Sequence, residues 1–271
     1  MLQKDCRKIE ILFLSLFYII VIMDLEMQIP SKVPKQDKKE RKRREPHVPL
    51  ATFYDLDKYQ FEIGIDEAGR GPMFGRLYVA GVVLPKDGSM DTSELRDSKK
   101  ISKKKLPVLY EHIIKNAYAY HITYIESCEI VRINIRQAVL KGMYTCAKEI
   151  INQLEKKNIV SDTKEKYFLM VDGNDFPPYI HNDERISYDT FLQGDNAYAN
   201  IAAASILAKV ARDNYIFDLC KRVPVLVNDY GLDKHMGYGT KKHLDAIRTY
   251  GITQYHRTTF GLCKVANMRF V

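Results

Sequence analysis

The chain has 271 residues, 46% hydrophobic and 11% aromatic, enough to bury a sizeable core, which argues against wholesale disorder. Its formal net charge of +8 suits a polyanionic partner, yet much of it sits in one run, Lys32 to Glu45, with eight Lys/Arg against three acids. Five scattered cysteines (Cys6, Cys128, Cys146, Cys220, Cys263) show neither a CxxC pair nor a Cys/His zinc spacing, so free thiols in a reducing, cytoplasmic compartment are expected rather than a zinc ribbon or disulfide scaffold.

Residues 1–30 form an apolar leader around ILFLSLFYIIVIM (Ile11 to Met23). The run is shorter than the ~18 residues of a membrane span. Lys4, Arg7 and Lys8 precede it as in a signal-like segment, but no small-residue cleavage site follows. Two readings stay open: a membrane anchor, or a mis-assigned start with Met23 or Met27 as the true initiator. Residues 31–57 read as a basic, flexible, Pro-flanked linker with almost nothing to bury. It suits a nuclear-targeting patch, a nucleic-acid tether or a plain solvated tether.

The domain expected over 58–271 alternates strands and helices. FEIGI (Phe61 to Ile65) and LYVAGVVLP (Leu77 to Pro85) read as strands flanking a glycine-rich turn. Leu106 to Asn116 reads as a helix, Ala117 to Ser127 as a strand, and Asn134 to Leu154 as a longer helix. YFLMVDG (Tyr167 to Gly173) is a short apolar strand ending on Asp172. Asp195 then opens an alanine-rich helix, Asn196 to Asp213, whose small residues allow close packing on a sheet. The pattern predicts a mixed α/β domain with helices flanking the sheet.

Chemistry concentrates at the ends of these elements. Asp66, Glu67 and Asp172 are read as lying just past strand ends, and Asp195 at a helix start. Each alone is more simply a cap or turn residue. Together they could meet at one end of the sheet, where four carboxylates would repel unless a cation neutralised them. Oxygen-only ligands favour Mg²⁺ or Mn²⁺, and two such ions about 4 Å apart can activate a water and stabilise a leaving phosphodiester oxygen. Gly69-Arg70-Gly71 exposes backbone groups that could read a ribose 2′-hydroxyl; the plainer alternative is a tight turn with a solvated arginine.

Further blocks stand in order after DEAGRG: DSKKIS (Asp97 to Ser102), NIRQAVLKGM (Asn134 to Met143), VDGN (Val171 to Asn174), GDNAYANIAAASILAKVARD (Gly194 to Asp213), YGLDKHMGYGTKKH (Tyr230 to His243) and YHRTTF (Tyr255 to Phe260). Over Tyr59 to Phe260 the chain resembles ribonuclease HII, the bacterial-type type 2 ribonuclease H. The resemblance implies an RNase H-like fold with a mixed central sheet and a C-terminal helical part. It implies cleavage of RNA in RNA–DNA hybrids and at single ribonucleotides in duplex DNA, 5′ of the ribonucleotide, leaving 3′-hydroxyl and 5′-phosphate ends. The family's four metal-binding, catalytic carboxylates match Asp66, Glu67, Asp172 and Asp195, implying a two-metal site for Mg²⁺ or Mn²⁺. Its junction-reading turn matches Gly69, Arg70 and Gly71. Its sugar-stacking tyrosine matches Tyr238, and Lys99, Ser205 and Lys209 match positions that approach phosphates.

Plainer roles compete for some of these. Tyr238 could be a turn aromatic, Lys99 and Lys209 solvated charges, and Ser205 a helix back-bonder. Arg212 and Asp213 are expected to pair near the helix end, and His235, His243 and His256 rank below the carboxylates as scaffold or substrate-edge residues. The chain departs from the family at Phe74, where a small residue is usual, at Gly75-Arg76, where Gly-Pro is usual, and at Met236, where lysine is usual. The Asp172–Asp195 spacing is also longer than usual. A solitary, monomeric enzyme without an obligate protein partner is expected. A ribonuclease HIII-like enzyme, a eukaryotic-type catalytic subunit, a non-catalytic hybrid-binding protein and a membrane-tethered interaction protein are the rivals.

Overall fold

Apolar alternation along Tyr59–Ala68 (β1) sets the plan of the domain. Phe61, Ile63 and Ile65 project to one face of the sheet, Glu62, Gly64 and Asp66 to the other. The computed structural model describes residues 49–157 and 165–271. The apolar leader and residues 31–48 of the basic linker lie outside the described residues.

The other strands are β2 (Leu77–Val83), β3 (Ala119–Ile125), β4 (Glu165–Asp172), β5 (Tyr179–His181) and β6 (Glu184–Phe191). One six-stranded sheet runs in the order β3-β2-β1-β4-β6-β5. β1–β2 and β2–β3 are antiparallel, β1–β4 and β4–β6 parallel, and β5 returns on β6 as a hairpin that the sequence reading did not assign. The mixed sheet is the expected one.

Helices α1 (Leu106–Asn116), α2 (Ser127–Ile133) and α3 (Ile135–Lys156) lie between β2 and β4 in the chain. The apolar stripe Val139, Met143, Cys146, Ile150 and Leu154 of α3 packs on Ile63, Ile65, Leu77 and Val79. On the opposite face α1 and α4 (Ala199–Arg222) cover Tyr78, Ala80 and Val82. Ala202, Ala203, Ala204 and Ala208 of α4 are wholly buried, so the helix approaches the sheet closely. A Cβ on Gly64 would stand 2.3 Å from the Asn200 carbonyl carbon, so this contact tolerates no side chain there.

The C-terminal part is helical: α5 (Val225–Asn228), α6 (Leu232–His235) and α7 (Lys241–Tyr250). A third apolar cluster of Phe74, Ile216, Leu226, Tyr230, Leu232 and Met236 fastens it to the end of α4 and to the loop after β1. Two departures from the family pattern, Phe74 and Met236, thus lie in one core.

Residues 49–57, placed with the linker on sequence grounds, pack on the domain. Ala51 bridges Tyr198, and Tyr54 stacks on Phe168 at 4.8 Å. The buried Glu62 carboxylate accepts the N–H groups of Tyr54 and Asp55 (2.7 and 2.9 Å) and the Lys86 ammonium (3.2 Å). Among the described residues no helix is long and apolar enough to cross a membrane, and Cys128, Cys146, Cys220 and Cys263 are free.

Candidate active site

The register of the sheet places the acids. Pairing of β1 with β4 stops at Ile65↔Val171, whereas pairing with β2 continues through Asp66↔Ala80 and Glu67↔Val79 to Ala68↔Tyr78. Asp66 and Glu67 therefore lie inside the strand, not past its end as the sequence suggests, because β2 keeps the backbone extended. Asp172 is the last residue of β4, as expected. Where β4 ends, a cavity of about 220 Å³ opens.

Asp66, Glu67 and Asp172 line this cavity with Gly69, Arg70, Gly71, Lys99, Ser205, Lys209 and Tyr238. All the sequence-predicted site residues thus converge there except Asp195, which lies beside the lining residues. Asp195 does not open the alanine-rich helix. It sits in a separate 3-10 turn, Gly194–Asn196, after a left-handed Gln193 (φ 56°), and α4 starts only at Ala199. The Gly194 N–H donates to Asp172 Oδ1 at 2.7 Å, which ties this turn to the end of β4. Lys99 Nζ lies 3.9 Å from both Asp195 Oδ2 and Asp97 Oδ1, and so links the buried Asp195 to the cavity.

All four acids are harder to ionise than free carboxyls. Burial, then Glu67 and Asp172, push Asp66 well above the usual range, against the Ser205 hydroxyl and the Glu67 N–H. Burial raises Glu67 too, with Arg70 (3.6 Å from its Oε1) pulling it back. Asp172 is raised by burial despite the Gly194 N–H and Lys99. Burial, Asp97 and Asp172 push Asp195 up to about 6 while Lys99 opposes them. Asp97, buried within the quoted DSK block, is a contributor the sequence reading passed over; its carboxylate helps to raise Asp195.

This donor set suits a hard divalent cation: all oxygen, crowded, and relieved by positive charge. Among the described residues no three His, Cys, Asp or Glu side chains converge into a group that could hold a metal ion by themselves. An open carboxylate wall suits a cation that completes its shell with water and substrate phosphate, as Mg²⁺ does.

The turn after β1 depends on two arginines that sequence reasoning did not assign to the site. Gly69 has φ +97°, and a Cβ there would stand 2.3 Å from Arg212 Nε. Arg212 is 1% exposed and donates to the carbonyls of Met236 (2.8 Å), Phe74 and Arg76 (3.3 Å each). The expected Arg212–Asp213 pair does not form. Asp213 instead takes Lys209 Nζ at 2.7 Å on both oxygens, because a guanidinium aimed at the domain interior cannot also reach the outer side of α4. Arg257, wholly buried, donates to the carbonyls of Gly75 (3.0 Å), Arg70 (3.2 Å) and Pro72 (2.9 Å), and burial pulls its guanidinium down to about 9. Both lie in blocks quoted above, but only tertiary contact reveals what they hold.

Tyr238 is half exposed over the cavity, its ring centroid 5.9 Å from the Arg212 guanidinium. Ser205 bonds Ser98 (Oγ–Oγ 3.0 Å) and reaches Asp66, so its hydroxyl serves the site rather than its own helix.

A family model described as Ribonuclease HII matches residues 63–263. Ribonuclease HII of Francisella tularensis subsp. novicida (strain U112) is 41% identical over 198 residues, covering 73% of this chain and 95% of the relative. The enzyme of subsp. holarctica (strain LVS) matches at the same identity and covers 94% of that relative. Among solved structures, ribonuclease H2 of Pyrococcus horikoshii OT3 superposes with a TM-score of 0.58 at 20% identity, over 76% of this chain and 96% of that one. The chain from the PCNA:RNase HII complex of Archaeoglobus fulgidus gives 0.55 at 24% identity, over 74% and 96%. These structural likenesses carry the fold.

Proposed function

The chain belongs to the ribonuclease HII family and is a hydrolytic endonuclease, and from that premise we propose how its residues divide the work on ribonucleotide-containing duplexes. The substrate is an RNA–DNA hybrid or a duplex DNA with a single ribonucleotide, cut 5′ of the ribonucleotide to leave 3′-hydroxyl and 5′-phosphate ends. The observation that carries this reading is the meeting, in one cavity, of Asp66, Glu67 and Asp172 with the Gly69-Arg70-Gly71 turn and Tyr238.

Asp66, Glu67, Asp172 and Asp195 would hold Mg²⁺ or Mn²⁺, supported by their raised proton affinities and oxygen-only chemistry. Such a metal pair supplies an activated water and a neutralised leaving oxygen. The protein's own groups do the rest. The Gly69–Gly71 backbone faces the 2′-hydroxyl, a group that both donates and accepts and that DNA lacks. Tyr238 offers a flat face to the neighbouring sugar. Lys99 and, once freed from Asp213, Lys209 engage phosphates without regard to base sequence.

The test is a duplex DNA carrying one ribonucleotide, incubated with the protein in Mg²⁺ or Mn²⁺, with the cut mapped at nucleotide resolution. A single nick on the 5′ side of the ribonucleotide is expected. Folded protein that leaves the duplex whole in both metals overturns the reading.

A further inference from the structure

The three histidines of the C-terminal blocks, His235, His243 and His256, have no role in this scheme, and two of them are wholly enclosed. His243, on α7, is 0% exposed and His256 is 3% exposed. Their rings meet through Nε2 atoms 3.1 Å apart. The bonds around them determine where the protons lie. The Thr253 backbone N–H and hydroxyl both lie 2.9 Å from His256 Nδ1; the N–H can only donate, so that nitrogen is unprotonated and the ring carries its hydrogen on Nε2. This hydrogen must point at His243 Nε2, which accepts it. His243 therefore carries its own hydrogen on Nδ1 and donates it to the Tyr238 carbonyl, 2.9 Å away. A one-directional chain runs from Thr253 through two imidazoles to the residue that overhangs the cavity.

The turn that receives this bond is strained. Met236 and Gly237 are both left-handed, at φ 52° and 82°, and a non-glycine residue in that region is uncommon. Besides its local backbone bonds, among them the Thr240 N–H on the Tyr238 carbonyl at 2.8 Å, three further contacts hold it. Arg212 takes the Met236 carbonyl at 2.8 Å, Met73 N–H donates to the Gly237 carbonyl at 3.0 Å, and His243 takes the Tyr238 carbonyl. The same segments hold the other reader: Phe74 bridges His256 and lies edge-on to its ring at 4.9 Å, and Gly75 N–H donates to the Tyr255 carbonyl at 2.9 Å. Burial keeps both rings uncharged, with His243 pulled down to about 4 and His256 to about 3.

We propose that His256 and His243 form a neutral imidazole relay whose task is to position Tyr238 against the turn Gly69–Gly71, making the two positioning residues for substrate recognition. A protonated relay would place two N–H groups head to head between the rings, so its single polarity is built in. The inference rests on the functional reading above, through the role given there to Tyr238.

A double-mutant cycle tests it, with Michaelis parameters on duplex DNA carrying one ribonucleotide. His243→Leu should raise KM roughly tenfold while kcat changes less than about threefold, the signature of lost positioning. His243→Asn, which returns a donor to the Nδ1 position, should recover most of that loss. In a Tyr238→Ala background His243→Leu should add nothing. Full multiplicative losses in that background, or no recovery with asparagine, would reduce the histidines to scaffold and overturn the proposal. Nitrogen NMR of the wild-type imidazoles at neutral pH decides the relay without cleavage or a variant. Hydrogen on Nδ1 of His243 and on Nε2 of His256 is expected, and the opposite tautomers or a charged ring would sink it. Failure of the wild-type protein to cut, with these tautomers found, counts against the function alone.

Discussion

Two regions face each other across the cavity, and they are built differently. The acid wall is set by regular structure: β1 outruns β4 by the residues that carry Asp66 and Glu67, and β4 stops on Asp172. The reading platform has no regular element of its own. It is three irregular segments, around Gly69–Arg76, Met236–Tyr238 and Thr253–Arg257, held by Arg212 of α4, His243 of α7 and Arg257 of the third segment itself. The wall stores repulsion between like charges, which a bound cation would relieve. The platform buries Arg212 and Arg257 with only carbonyl acceptors around them, so its positive groups are spent on backbone shape. A site can thus keep its chemistry on stiff strands and its recognition on a separately fastened surface.

The largest effect that would separate the regions comes from the wall. Asp66→Asn should lower cutting by at least about a thousandfold, since several kcal/mol of charge stabilisation depends on bound metal. Binding to the uncut duplex should stay within a few-fold, because the platform is untouched. Retained cutting would show that Asp66 holds no metal. Collapse of binding would show that wall and platform are one unit.

Acid gives a second contrast, of intermediate size. His243 and His256 have folded-state values of about 4 and 3 against an ordinary 6.5, so their contribution is complete above 6.5. It is lost as pH falls towards those folded values, because the unfolded chain takes up protons first. Asp195 runs the other way: raised to about 6 from 3.8, it favours the folded state increasingly as pH drops through 6. In chelator, the histidines should cost roughly 2–4 kcal/mol in urea unfolding between about pH 7 and about pH 5, and the raised Asp66, Glu67 and Asp172 offset part of that loss together with Asp195. Asp195→Asn should deepen the net loss by about 1 kcal/mol, having removed one of the opposing contributions. An identical acid response in the variant would mean that Asp195 ionises like a free carboxyl.

The same contrast explains what could be read in advance. Strand and helix periodicity placed β2, α1 and the end of β4 closely, and the acids followed because regular elements carry them. Strand β1 was cut short because Asp66 and Glu67 look like residues past a strand end, although β2 pairing holds them extended. The start of α4 was set too early because Asp195 resembles a cap, whereas Tyr198 takes that place. The β5–β6 hairpin escaped notice because β5 spans only three residues, β6 is polar over much of its length, and the turn Asn182-Asp183 is left-handed at both residues without a glycine. The platform was the hidden part. Nothing local tells that Arg257 will reach back past 180 residues of chain to the carbonyls of Arg70 and Pro72.

Arg76 supplies the smallest and most specific prediction. It stands where the family usually has proline, directly beside the reading turn, a position that invites a role in specificity. Its side chain, however, leaves the cavity. The guanidinium meets Glu126 Oε1 at 2.6 Å and lies over the rings of Tyr124 and Tyr215 at 3.9 and 4.5 Å. Only its carbonyl serves the platform, as an acceptor for Arg212 at 3.3 Å. Any residue supplies that carbonyl, proline included. With Arg76 a quarter and Glu126 nearly half exposed, the ion pair is screened and worth little. The two aromatic contacts add a fraction of a kcal/mol each. Arg76→Ala should therefore cost about 1 kcal/mol in urea unfolding and leave kcat/KM on the single-ribonucleotide duplex within about twofold. A tenfold fall in kcat/KM at unchanged stability would place the Arg76 side chain on the substrate and move the platform's edge outward by one residue.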